Sequence, residues 1–174
     1  MKRLFLMAFV TLFATVAFAS NPLKVVSGDK KFFKSAEGNI FLEVVYDDNA
    51  TFDDKMLLTE KYDNLEEKTA ISYDGFIEEF GQRNSKLKFV KTEEEATYKM
   101  TIRVTKVDEF INVMGFIPGP CIRVWGTLTV TDVKSDEALI VVDINEIDGG
   151  SAPTTDRAFN DVFGKLGEKV AKLK

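Results

Sequence analysis

The chain has no histidine and only one cysteine in 174 residues. Without an imidazole, Ser-His-Asp triads, histidine general bases and the usual histidine-containing zinc sites are excluded. One cysteine, Cys121, cannot close an internal disulfide, so the fold must be held by packing. Cys121 opens an apolar strand beside Ile122 and Val124 and reads as a buried structural thiol, because a reactive one needs an electropositive neighbour. Low-complexity segments, internal repeats and interdomain linkers are missing as well. So is a basic block: 23 Lys and Arg are scattered among 28 Asp and Glu, for a net charge of −5. Such a surface repels phosphate backbones and anionic lipid, and nucleic-acid binding is not expected.

What is present begins with residues 1–19, MKRLFLMAFVTLFATVAFA. Lys2 and Arg3 precede an almost uncharged apolar run, Leu4 to Val16, and Ala17-Phe18-Ala19 forms a small-residue cleavage site before Ser20. This is the pattern of an export signal. The run is too short for a stable membrane anchor, which wants about 20 apolar residues. No cysteine follows the cleavage point to take a lipid, so the expected mature protein starts at Ser20 and is a soluble periplasmic or secreted one, with no transmembrane span.

The apolar fraction of 45% and the fifteen Phe supply enough core for one domain. Residues 1–19 are read as signal peptide, 20–38 as an N-terminal segment that the pattern leaves without assigned structure, and 39–174 as a single α+β domain. Asn39 to Tyr46 is a β-branched run stopped by the turn formers Asp47-Asp48-Asn49. From Leu65 to about Asn84, Thr69, Tyr73, Phe76, Ile77 and Phe80 recur at helical spacing, with Gly75 weakening the helix and Gly81 near its end. Leu87 to Val90 is a short strand. Thr97 to Val107 and Ile122 to Val133 alternate apolar and polar residues, with Trp125 on the outward side of the second, and Ala138 to Ile147 follows across a short polar turn. Gly149-Gly150-Ser151 breaks the strand pattern. Thr154 then caps a final helix whose buried face is Phe159, Val162, Phe163, Leu166, Val170 and Leu173. The expected fold is α+β: a two-layer sandwich in which a mixed, mostly antiparallel sheet of four to five strands is backed by two helices.

Several groups are candidates for chemistry or binding. Asp47, Asp48, Asp53 and Asp54 offer oxygen ligands for a cation, but Phe52 and Leu58 stand where a calcium loop of the EF-hand type needs Gly and Glu. Asp143, Glu146 and Asp148 are close along one strand and can be read as the acid and base of a small hydrolase. Asn49-Ala50-Thr51 matches the N-glycosylation acceptor pattern. The connection Asp108 to Pro120 carries Phe110, Ile111, Val113, Met114, Phe116 and Ile117 where a hairpin tip is normally polar. Those side chains either fold back over the core or form an apolar patch for a protein partner or peripheral membrane contact. Trp125 is a second partner-binding candidate unless the segment Leu23 to Phe33 crosses and covers its face. No cofactor motif is present, and none is expected.

Taken together, ATYKMTIRVTKVD, VWGTLTVTDVKSDEALIVVDINE and DRAFNDVFGKLGEKVAK resemble the second half of a group of small exported bacterial domains of unknown function. These are similar in fold to the periplasmic domain of the curli-secretion lipoprotein and to the N-terminal domain of the Tol-system translocation protein. The resemblance implies a mixed sheet backed by two helices, an envelope location and a role in binding or assembly. It implies no catalytic residue. The expected function is a non-enzymatic exported domain that binds another cell-envelope protein, with a hydrolase using Asp143, Glu146 and Asp148, or a carrier of an apolar small molecule, as the alternatives.

Overall fold

The computed structural model describes residues 21–113 and 118–173, so the export-signal reading of 1–19 lies outside the described residues. In chain order they form β1 (Leu23–Gly28), α1 (Phe32–Ser35), β2 (Gly38–Phe52), β3 (Met56–Leu57), α2 (Leu58–Lys61), α3 (Leu65–Gly81), β4 (Leu87–Val90), β5 (Tyr98–Asn112), β6 (Gly119–Asp132), β7 (Ala138–Ser151) and α4 (Thr155–Ala171). The sheet runs β1-β7-β6-β5-β2-β3, with β4 also paired to β2. β2 is parallel to β4 and β5; the other pairs are antiparallel. This is a mixed α+β protein. Among the described residues no helix is long and apolar enough to cross a membrane.

The expected four to five strands are corrected to seven, and the two helices to four. The additions are short or sit at an edge, where periodicity is weakest. β1 pairs with β7 from Leu23↔Ile144 to Gly28↔Ile140, through a bulge between Val25 and Ser27. It therefore extends the sheet and does not cross over Trp125. α1 then turns to the other side, where Phe32 and Phe33 are buried and Phe33 meets Phe80 edge-on at 6.1 Å.

Two expected strand ends are also corrected. Asp47-Asp48-Asn49 does not stop β2: the Asn49 N–H donates to Asp47 Oδ1 at 3.1 Å, and pairing with β5 skips from Tyr46 to Thr51. The turn formers make a bulge inside the strand, as one extra local hydrogen bond allows. Gly149-Gly150-Ser151 likewise stays in β7, with Ser151 opposite Cys121. Glycine is required at 149 because a Cβ there would lie 2.7 Å from Val162 N, where α4 rests on the strand.

The helices start where side chains satisfy the first unpaired N–H groups. Asn64 accepts from Glu67 N at 3.1 Å to begin α3, and Thr154 accepts from Arg157 N at 3.2 Å to begin α4. The helices pack on each other, α4 also on β6 and β7 and α3 on β2. Against them the strands present Ile40, Met100, Ile102, Leu128, Val130 and Ile140, all fully buried. The space between is filled by Phe76, Phe80, Phe159 and Phe163, each 0% exposed.

Candidate functional site

The alternation that makes β5 and β6 does not end at Val107 and Ile122. Pairing continues through Asp108↔Arg123, Glu109↔Ile122, Phe110↔Cys121 and Ile111↔Pro120 to Asn112↔Gly119. The expected connecting loop 108–120 is thus largely a two-stranded ribbon: its β-branched and aromatic residues extend β5, and Gly119 and Pro120 are paired at the start of β6. β2 leaves β5 at Phe52↔Val107, so above that point the ribbon has a sheet neighbour on the β7 side only.

The six partner-binding candidates are split by this geometry. Ile111 is 70% exposed, and Val113 beside it is 75% exposed. Phe110 and Trp125 are half-buried on the face of the sheet away from the helices. Met114, Phe116 and Ile117 lie outside the described residues. Each ring carries a cation over one face. The Arg123 guanidinium lies 4.3 Å from the Phe110 ring centroid, and Lys106 Nζ lies 4.6 Å from that of Trp125. Both are cation–π contacts between neighbouring strands. The alternation of β6 puts Arg123 on the outward side, but neither it nor Lys106 stood out as a ring partner, because which ring each cation meets is set by the cross-strand pairing.

The same Arg123 takes up two of the three proposed hydrolase carboxylates. Arg123 reaches Glu146 at 3.3 Å and Asp148 at 3.3 Å, and Asp148 Oδ1 also accepts from Gly150 N at 2.7 Å. Asp143 pairs in register with Thr127, further down β7. Glu146 and Asp148 therefore meet at a cation, and what they do together is tie the end of β7 to the ribbon.

On the helix side the ribbon carries a carboxylate that the sequence did not single out. Glu109 is only 18% exposed at its side chain; its Oε2 accepts from the Tyr62 hydroxyl at 3.1 Å and its Oε1 from the Thr155 hydroxyl at 3.2 Å. Lys61 approaches at 3.8 Å. Burial, together with the Glu109 charge, pushes the Tyr62 phenol well above its ordinary value. One side chain thus joins β5, the end of α2 and the start of α4.

The acidic stretch is dispersed. Asp53 and Asp54 have φ of 52° and 56° and form the tight turn between β2 and β3, a backbone that Asp and Asn tolerate better than most residues. Asp53 accepts from Glu109 N at 3.2 Å, Asp54 pairs with Lys106, and Asp47 pairs with Arg103 at 3.2 Å, while Asp48 is exposed. Among the described residues no group of three or more His, Cys, Asp or Glu is placed to hold a metal ion. Asn49 is exposed, and Cys121 is buried opposite Phe110.

Fold and site together define a mixed α+β protein with a seven-stranded sheet and a projecting ribbon. No protein-family model matches the chain, and no curated protein matches it. Among solved structures it is similar to a PelC dodecamer from Paraburkholderia phytofirmans, with 12% identity, a TM-score of 0.45, and 85% of this chain and 95% of that one covered. It is also similar to the hypothetical protein CT253 from Chlamydia trachomatis, with 13% identity, a TM-score of 0.38, and 79% and 91% covered. Superpositions this loose carry no inference about what the chain does.

Proposed function

We propose that the chain is an exported, non-enzymatic domain that associates with another cell-envelope protein through the β5–β6 ribbon, with the β3 edge across β2 from its base as a second contact. The observation behind this reading is where the apolar surface lies. Of the five large apolar side chains exposed among the described residues, Ile111 and Val113 lie on or just past the ribbon strand β5 and Met56 and Leu57 on β3, which pairs with β2 at the level of the ribbon's base; Val26 lies on the opposite edge strand. Asp54, Lys55 and Glu60 border Met56 and Leu57 in a shallow cleft, and exposed apolar side chains with a polar rim suit a protein partner. The export pattern of residues 1–19 supplies the compartment, and the missing histidine removes the commonest catalytic chemistry.

The test is capture from envelope extracts with the protein that starts at Ser20, run beside the double variant Ile111→Asp/Val113→Asp. Both sites are solvent-exposed, so the variant is expected to fold and to lose at least tenfold of the captured partner. Equal capture by both forms overturns the ribbon as the docking element. Mass determination of the exported protein is expected to give a start at Ser20.

A further inference from the structure

At the β1 edge the charge balance of this acidic chain reverses. Between Pro22 and Ala36 the charged residues are Lys24, Lys30, Lys31 and Lys34 against Asp29 alone. The last turns of α4 carry Lys165, Lys169 and Lys172 against Glu168 alone. The two segments are far apart in sequence, but α1 packs on α4 and brings them to one region. Two surface clefts lie there, of about 540 Å3 and about 320 Å3, sharing Asn21 and Leu173 as lining residues. Lys24 and Lys30 rim the first, Lys169 and Lys172 the second, Lys172 being ion-paired with Glu168; among the described residues no side-chain carboxylate lines either. The floor is apolar: Leu23, Val25 and Leu173. Val26, on the same edge strand, is 56% exposed.

We propose that this edge lies on an anionic phospholipid leaflet, with the lysines taking headgroup phosphates and Val26 reaching the acyl boundary. Lysine suits the task, since it is a flexible point charge whose apolar stem can lie along an apolar floor while the ammonium meets phosphate. Four such groups spread around two open clefts match a surface of many headgroups better than one small anion. Asp29, Asp143 opposite Lys24 and Glu168 beside Lys172 are the acids close to this edge, so the lysines remain in excess there, and negative charges more than about 8 Å from the leaflet are screened at physiological ionic strength.

The chain itself gives the second argument. Residues 1–20, with their apolar run, join the described protein at Asn21, inside this cleft. While that run is held in a membrane, the lysine edge is the part of the protein tethered nearest to it. This step rests on the export reading; the surface itself rests on the clefts. β1 pairs with Ile140–Ile144 while the ribbon lies beside Asp148 and Ser151, so the two surfaces are separate.

Flotation of the protein starting at Ser20 with phosphatidylglycerol/phosphatidylcholine vesicles, and with phosphatidylcholine alone, tests the proposal. Binding to the anionic vesicles at low salt, release at high salt and no binding to phosphatidylcholine are expected. Each lysine near a charged leaflet contributes roughly a fivefold gain in partitioning. Lys24→Glu/Lys30→Glu/Lys169→Glu should therefore lose at least tenfold, while Lys88→Glu/Lys91→Glu/Lys134→Glu, equal in net charge, should lose far less; circular dichroism confirms that both are folded. Equal loss in both, or no binding by the wild type, overturns the proposal. So does full release by inorganic phosphate at constant ionic strength, which would make the clefts a phosphate site. A protein that is exported and processed yet does not float overturns the lipid surface alone; one that floats but is never exported removes the export reading alone.

Discussion

The two faces of the central sheet are made by the same strands and held by different physics. Toward the helices, Met100, Ile102, Leu128, Val130 and Ile140 are completely buried under Phe159 and Phe163. Away from them, Thr101, Thr127 and Thr129 stay half-exposed, and the contacts are charges laid across strands: Arg103 to Asp47, Lys99 to Glu43, Arg123 between Glu146 and Asp148. Apolar burial is worth about 25 cal/mol per Å2, whereas an exposed ion pair contributes about 0–1 kcal/mol. Stability should therefore be concentrated on the covered face, leaving the open one free to change its surface.

A cavity on the covered side should have the largest effect on stability. Phe159 is 0% exposed and meets Tyr62 edge-on at 5.5 Å. Phe159→Ala should cost about 3–5 kcal/mol in urea unfolding, with the midpoint lowered and the slope unchanged. A cost below about 1 kcal/mol would mean that the helices add little to the sheet.

A smaller effect is expected where the two long helices cross. The sequence marked Gly75 as a weak point of α3, yet a Cβ at that position would sit 2.3 Å from the Asn160 carbonyl oxygen of α4. The glycine is there so that the backbones can touch. Gly75→Ala gains roughly 1 kcal/mol of helix propensity. Forcing the helices apart costs about 1–3 kcal/mol, so net destabilisation is expected, measured by the same unfolding curves. Net stabilisation would show that α3 and α4 can separate at no cost.

These two positions also show what the sequence made legible. The buried face of α4, from Phe159 to Val170, and the Thr154 cap follow from spacing alone, because both depend on residues a turn or less apart. The inward set of β5 and β6 is equally plain, since a period of two carries its own register. What stayed hidden depends on partners distant in the chain. β1 has too few residues to show a pattern and forms because β7 offers it an edge. The ribbon at 108–120 looked like a loop because Pro118, Gly119 and Pro120 read as turn residues, although Gly119 and Pro120 pair within β6. Glu109 gave no signal: Tyr62 and Thr155 are 47 and 46 residues away from it. The lysine edge was invisible for the same reason, its two halves standing near opposite ends of the described chain.

The smallest effect lies on the open face, in the stack of Arg123 on Phe110. Here the contact is a few ångströms across and partly wet: the Arg123 side chain is 34% exposed. Arg123→Met removes the charge that Glu146 and Asp148 share but keeps a flexible stem over the ring. Phe110→Leu keeps an apolar side chain and removes the ring's negative face. In a double-mutant cycle the coupling between the two should be about 0.5–1 kcal/mol, the size of an exposed cation–π contact. The global midpoint should move less for either single variant than for Phe159→Ala. The ribbon responds more locally: amide exchange at Ile111 and Asn112 should quicken in Arg123→Met, since the tie from β7 through Arg123 is then gone. Coupling near zero with unchanged exchange would reduce the stack to a chance neighbour. Coupling as large as the Phe159→Ala loss would mean that the two faces of the sheet carry equal weight.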